Sequence, residues 1–182
     1  MRLAEADILI IPGLGNSGPD HWQSRWQAKI ATARRVEQAD WDDPDSADWA
    51  ARIAAAVGAS ARPAVLIAHS CGCAAVLRAA PQFAAGRVAG VFLVACTDAD
   101  EAAMPADVRR FAPLRLEKLA FPALLAASRN DPYVSFARAG AIAAGIGASF
   151  ADAGEAGHIN VESGHGPWPE GLLRLASFLR TL

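Results

Sequence analysis

Ser70 lies in the run Ala68-His69-Ser70-Cys71-Gly72, with an apolar stretch before it and a stretch rich in small residues after it. A serine hydroxyl becomes a useful nucleophile when a neighbouring base takes its proton. A sharp strand-to-helix turn lifts such a serine above a sheet, and the turn needs small residues two before and two after it. Gly72 meets the second requirement, and Ala68 stands where the G-x-S-x-G pattern has its first glycine. The helix that starts here aims its N-terminus at the site, which favours developing negative charge.

Acyl transfer also needs hydrogen-bond donors already in place for an oxyanion. The N–H that follows the nucleophile, that of Cys71, is one expected donor. The other comes from the loop after an early strand, here Pro12-Gly13-Leu14-Gly15-Asn16-Ser17, with the Leu14 N–H as the candidate. Gly13, Gly15 and Asn16 are expected to line the substrate. A nucleotide-phosphate loop fits poorly, because no Lys-Ser or Lys-Thr follows and the third glycine is missing. His21 and Trp22 follow this loop closely and are candidates for a pocket wall. Trp22 and Trp26 at helical spacing are equally read as core.

The acid is expected in Ser128-Arg129-Asn130-Asp131-Pro132-Tyr133-Val134, where Asp131 follows a strand. Asp98 is the alternative, although Asp98 to Glu101 and Asp40 to Asp48 read as solvated acidic loops. For the base, the chain order serine, acid, histidine excludes His21. It also argues against His69, whose side chain should point away from Ser70. His158, in Ala156-Gly157-His158-Ile159-Asn160, follows one helix and one strand after Asp131 and is the expected base. His165 remains as a pocket-lining or turn residue.

The elements that must position these groups alternate between apolar runs and amphipathic stretches. Strands are expected at 7–11, 64–68, 88–95 and 123–127, with weaker ones at 35–39 and 147–150. Helices are expected at 20–33, 46–57 with Ser46 as N-cap, 71–80, 132–144 and 169–182. The strong strands are continuously apolar, as in parallel sheets covered on both faces. The fold class is therefore α/β, a three-layer α/β/α sandwich with a mainly parallel sheet, in one domain over 1–182. Ligands of such sheets bind beyond the carboxyl ends of the strands. The least regular stretch, 97–121, should pack over that mouth.

Bulk properties narrow the function classes. The chain has 182 residues, 53% hydrophobic and 20% charged, which describes a folded globular protein. A net charge of -2 gives no electrostatic case for nucleic acid or an anionic membrane as partner. No stretch is long and apolar enough to span a bilayer. The N-terminal residues lack the combined features of a signal peptide. The three cysteines, Cys71, Cys73 and Cys96, imply reduced thiols in a cytoplasmic protein and match no zinc spacing. No metal or other cofactor is expected.

Taken together, the motifs resemble the retinoblastoma-binding-protein-nine-like and YdeN-like serine hydrolases, a compact branch of the α/β-hydrolases. The resemblance rests on Ile11 to Ser17, Asp20-His21-Trp22-Gln23, His69 to Gly72, Ser128 to Tyr133, Gly157 to Asn160 and Ser163 to Pro169. It implies a minimal fold without a cap domain, and a triad of Ser70, Asp131 and His158. The expected activity is hydrolysis of small ester or amide substrates through an acyl-enzyme. A transferase using another acceptor, and a non-catalytic binding protein on the same fold, are the alternatives.

Overall fold

The computed structural model describes residues 1–182 other than Leu3. Ile8, Ile10, Val65, Ile67, Phe92 and Val94 lie on one side of a sheet. Leu9, Ile11, Leu66, Ala68, Val91 and Leu93 lie on the other. Successive strand residues point to opposite faces, so a strand apolar at every position needs cover on both.

The strands are β1 (Asp7–Ile11), β2 (Ala33–Arg35), β3 (Ala64–His69), β4 (Val88–Val94), β5 (Ala123–Ala127) and β6 (Ser149–Asp152). They form one sheet in the order β2-β1-β3-β4-β5-β6, with every neighbouring pair parallel. The helices are α1 (Trp22–Lys29), α2 (Ser46–Gly58), α3 (Cys71–Ala79), α4 (Ala106–Arg109), α5 (Phe136–Ile146) and α6 (Pro169–Leu179). Side chains of α2, α3 and α5 join the cluster on one face, and those of α1 and α6 the cluster on the other. In α2, Trp49, Ile53 and Val57 recur every four residues and are all buried, so one stripe of the helix seals that face. The result is a three-layer α/β/α sandwich without an inserted cap. Among the described residues, no helix is long and apolar enough to cross a membrane.

Among the boundaries that differ from the sequence expectation, α1 falls furthest short, at Trp22–Lys29 against 20–33, and four others have a plain local cause. The edge strand β2 spans Ala33–Arg35, not 35–39, because the buried Val36 that marked the expected strand lies just past its end. Asp45, not Ser46, caps α2, since its carboxylate accepts the N–H groups of Ala47 and Asp48. Helix α5 starts at Phe136 because Ser135 caps it through the Arg138 N–H. Gly147, at φ 71°, ends α5, so β6 begins at Ser149 and not at 147.

The strand order places the site. From β1 the chain moves outward to β2, then returns to the other side of β1 as β3. The loops after β1 and β3 therefore diverge at a topological switch point, which opens a crevice at the carboxyl end of the sheet.

Candidate active site

Strand β3 ends at His69, and the chain turns at Ser70 before α3 begins. Ser70 has φ 56° and ψ -130°, a conformation rare for any residue with a side chain. Two close approaches hold it there. A Cβ on Gly13 would lie 2.7 Å from the Ser70 Cβ, and a Cβ on Gly72 would lie 2.4 Å from the Pro12 carbonyl oxygen. These glycines let the loop after β1 press directly against the turn after β3. The Ser70 N–H donates to the Val94 carbonyl at 3.0 Å, which ties the turn to β4.

The Ser70 Oγ lies 2.9 Å from His158 Nε2. His158 Nδ1 lies 2.9 and 3.0 Å from the two carboxylate oxygens of Asp131. A carboxylate only accepts, so Nδ1 carries the hydrogen and Nε2 presents its lone pair to the serine hydroxyl. The Asp131 side chain is fully buried and also accepts the Tyr133 N–H at 2.9 Å. The Tyr133 ring packs against the imidazole. Ser70 Oγ has a second neighbour, Thr97 Oγ1, at 3.1 Å.

His158 sits between two residues in the left-handed region, Gly157 at φ 56° and Ile159 at φ 49°. A β-branched residue there is an outlier that its surroundings must enforce. The enforcement is visible. His69 Nε2–H donates to the His158 carbonyl at 2.9 Å, and the Trp22 indole N–H donates to the Ile159 carbonyl at 2.9 Å. The Gly157 N–H donates to the Asn130 side-chain oxygen at 2.7 Å. Burial, with the His158 and His21 imidazoles packed nearby, keeps the His69 pKa well below the ordinary range, so it serves as a neutral donor.

Leu14 lines the same cavity as Ser70, and among the described residues its N–H donates to no protein acceptor. Cys71 opens α3, so its N–H has no intrahelical acceptor. Burial pushes the Cys71 thiol up to about 12, which removes thiolate chemistry at this position. The cavity is about 400 Å³, with Asn16, His21, Thr97, Tyr133, Val108 and Asp107 among its walls. Pro105, Asp107 and Val108 come from 97–121, so this stretch does border the mouth. Its carboxylates are not merely solvated, because Asp98 and Asp100 both pair with Arg138.

Several candidate residues take other places. Trp22 is fully buried under the His158 loop and is no part of the cavity wall, because its indole is spent on packing and on Ile159. Gly13 and Gly15 do not line the cavity. Gly13 supplies the close approach to Ser70, and Gly15, at φ 68°, supplies the turn. His165 contacts Ser163 and the edge of Trp168, away from the cavity. Asp98 is taken by Arg138. His21 does line the cavity, as the N-cap of α1 whose Nδ1 accepts the Gln23 N–H. Burial and the charges of Arg35 and His158 lower its pKa to about 4.

Sequence reasoning missed Thr97 and Gln23. Thr97 follows β4, whose end adjoins that of β3, so the strand order is the signal that would have found it. Gln23 is fully buried; its amide donates to the carbonyls of Ile11 and Ile67, and its oxygen accepts the Ser17 hydroxyl. It thus joins the ends of β1 and β3 to the loop that carries Leu14.

A family profile described as serine hydrolase matches residues 8–177. The chain is similar to a YdeN-like hydrolase from Pectobacterium atrosepticum, with 36% identity, a TM-score of 0.85, and coverage of 97% of this chain and 92% of that one. The ydeN gene product of Bacillus subtilis shares the fold at 20% identity and a TM-score of 0.79, covering 96% of this chain and 99% of that one. The esterase domain of a Rhodothermus marinus protein shares it at 16% identity and a TM-score of 0.68, covering 94% and 86%. No curated protein matches the chain. The profile spans both the Leu14 loop and the His158 loop, and on that match the chain belongs to the serine hydrolase family.

Proposed function

We propose that this hydrolase cleaves small esters through an acyl-enzyme on Ser70, with His158 as base and Asp131 as the acid that orients it. The observation that carries the reading is the unbroken contact from Asp131 through both imidazole nitrogens to the Ser70 hydroxyl. In the first step Ser70 Oγ attacks the substrate carbonyl while its proton passes to His158 Nε2. Asp131 holds the imidazole in the productive tautomer and stabilises the imidazolium. The N–H groups of Cys71 and Leu14 receive the negative charge on the former carbonyl oxygen. As the tetrahedral adduct collapses, His158 returns the proton to the leaving alkoxide and the ester C–O bond breaks. Water then enters and attacks the acyl carbonyl as it gives a proton to His158, which passes that proton to Ser70 Oγ when the acyl C–O bond breaks, releasing a carboxylic acid and the free enzyme. Amides fit the same steps with an amine as leaving group.

A cavity of about 400 Å³ suits a short acyl group and a modest leaving group. The test is labelling by a fluorophosphonate probe together with hydrolysis of p-nitrophenyl esters of graded chain length. Wild type is expected to label and to turn over short acyl chains best. Ser70→Ala and His158→Ala should lose both activities, by about a million-fold in kcat, whereas His165→Ala should keep them. An unlabelled wild type would overturn the reading, and loss confined to His165→Ala among the histidine variants would overturn the choice of base.

A further inference from the structure

Arg35 is the last residue of the edge strand β2, yet its guanidinium is turned inward and half-buried. Among the described residues it forms no ion pair. It spends its donors on neutral groups of a single neighbourhood. Nη1 donates to the Asn16 side-chain oxygen and to the Ser17 carbonyl, the latter at 2.9 Å. Nη2 donates to Ser24 Oγ at 2.6 Å, and Nε to the Gln27 side-chain oxygen at 3.1 Å. Glu37 acts on it only through space, and a half-withdrawn cation with no paired carboxylate gives up hydration that an outward rotamer would keep.

What it grips is the loop that carries Leu14. Gly15 at φ 68° and Asn16 at φ 65° are consecutive left-handed residues, and asparagine tolerates that region only with local support. The support is the Asn16 side-chain oxygen, which accepts the Ser17 N–H at 2.8 Å and the Arg35 guanidinium together. Ser24 Oγ donates to the Ser17 carbonyl at 2.7 Å, and the Gly15 N–H donates to the Trp41 carbonyl at 2.9 Å. Arg35 is the group that joins the loop, α1 and β2 at once.

We propose that Arg35 is the positioning residue of the oxyanion loop, holding Asn16 in its left-handed conformation and through it the direction of the Leu14 N–H. This rests on the reading that Leu14 supplies an oxyanion donor. An oxyanion donor acts on charge that exists only in the transition state, so a loop that drifts lowers kcat and leaves KM nearly unchanged.

The experiment measures kcat and KM on a short p-nitrophenyl ester for Arg35→Met, Asn16→Gly and the double variant, with fluorophosphonate labelling in parallel. Asn16→Gly keeps the left-handed backbone at no steric cost and removes the side-chain link together with a piece of cavity wall, a change in substrate contact that would read in KM, so a fall in kcat at unchanged KM decides the matter even where Arg35→Met folds poorly. Each single variant is expected to lose about 10- to 100-fold in kcat with KM within about twofold. The double variant should lose no more than the worse single, because both break one link. Arg35→Ala should regain kcat in added guanidinium beyond a sodium chloride control of equal ionic strength; the outer groove beside Arg35 admits a small solute. An unchanged kcat in folded Asn16→Gly, or an effect confined to KM, overturns the proposal. A wild type that neither labels nor turns over ester overturns the hydrolytic reading instead.

Discussion

The loop of His158 and the loop of Leu14 each pass through two left-handed residues, and they are stabilised by different parts of the molecule. Around His158 the partners are neutral, and two of them are interior: the His69 imidazole and the Trp22 indole, with the exposed Asn130 amide as the third. Around Leu14 the partners lie nearer the rim, and the central one is a half-buried cation, Arg35. In the proposed mechanism His158 must return to one place through repeated proton transfers, and it is fixed by the same packing that makes the protein fold. In that mechanism the Leu14 loop has only to aim a dipole, for which a polar clamp beside solvent suffices. Damage to the first should therefore cost stability and rate together, and damage to the second should cost rate alone.

The largest effect is expected where the base itself is released. Asp131→Asn keeps the shape but presents a mixed donor to Nδ1, and kcat should fall about ten-thousand-fold with the circular dichroism spectrum unchanged. Next comes the interior support. His69→Leu leaves the His158 carbonyl unpaired inside the protein, so urea titration should show a loss of about 1 to 3 kcal/mol, with kcat at least about tenfold lower. A variant with full stability and lost rate would place His69 with Arg35 and blur the contrast between the loops.

The smallest effect concerns acid. The folded-state pKa of His21 is lowered to about 4, so on acidification the unfolded chain takes up this proton first. Stability should fall as pH drops from about 6.5 towards about 4 and level off below. His21→Asn keeps an oxygen to accept the Gln23 N–H and removes the titration. Denaturation at about pH 7 and about pH 4.5 should show a smaller loss than in wild type; the remaining slope belongs partly to His69, whose pKa is lowered too. An unchanged loss would show that the His21 ring is as free to charge in the folded protein as outside it.

These contrasts also mark what the sequence made legible. β1 and β5 were readable to the residue because burial on both faces demands an unbroken apolar run. The positions of Ser70, Asp131 and His158 were readable because each follows a strand and the strand ends converge. β2 was not, because an edge strand of Ala33, Arg34 and Arg35 carries no apolar signal and is defined by its pairing with Ile8 to Ile10. Trp22 was ambiguous for the opposite reason: an apolar ring with one donor reads equally as wall or as core, and its hydrogen bond to residue 159 spans the chain. The inward roles of Gln23, seen only as part of a motif, and of Arg35 were not readable, since a polar residue on a short helix or edge strand normally faces water, and only the folded loop shows what these two hold.

Both margins of the sheet are short. β2 offers three residues and β6 four, while the longest ribbons, β3 and β4, are enclosed between neighbours. An exposed strand edge is a template on which another chain can pair and start cross-β growth. Here the template is blunted at one side by the exposed Arg34, and at the other by Asp152 with its partner Arg129. The long apolar segments Ala64–His69 and Val88–Val94 become available only when the whole sheet opens. Resistance to fibril formation in this protein should therefore follow its global unfolding, with little contribution from fraying at the margins.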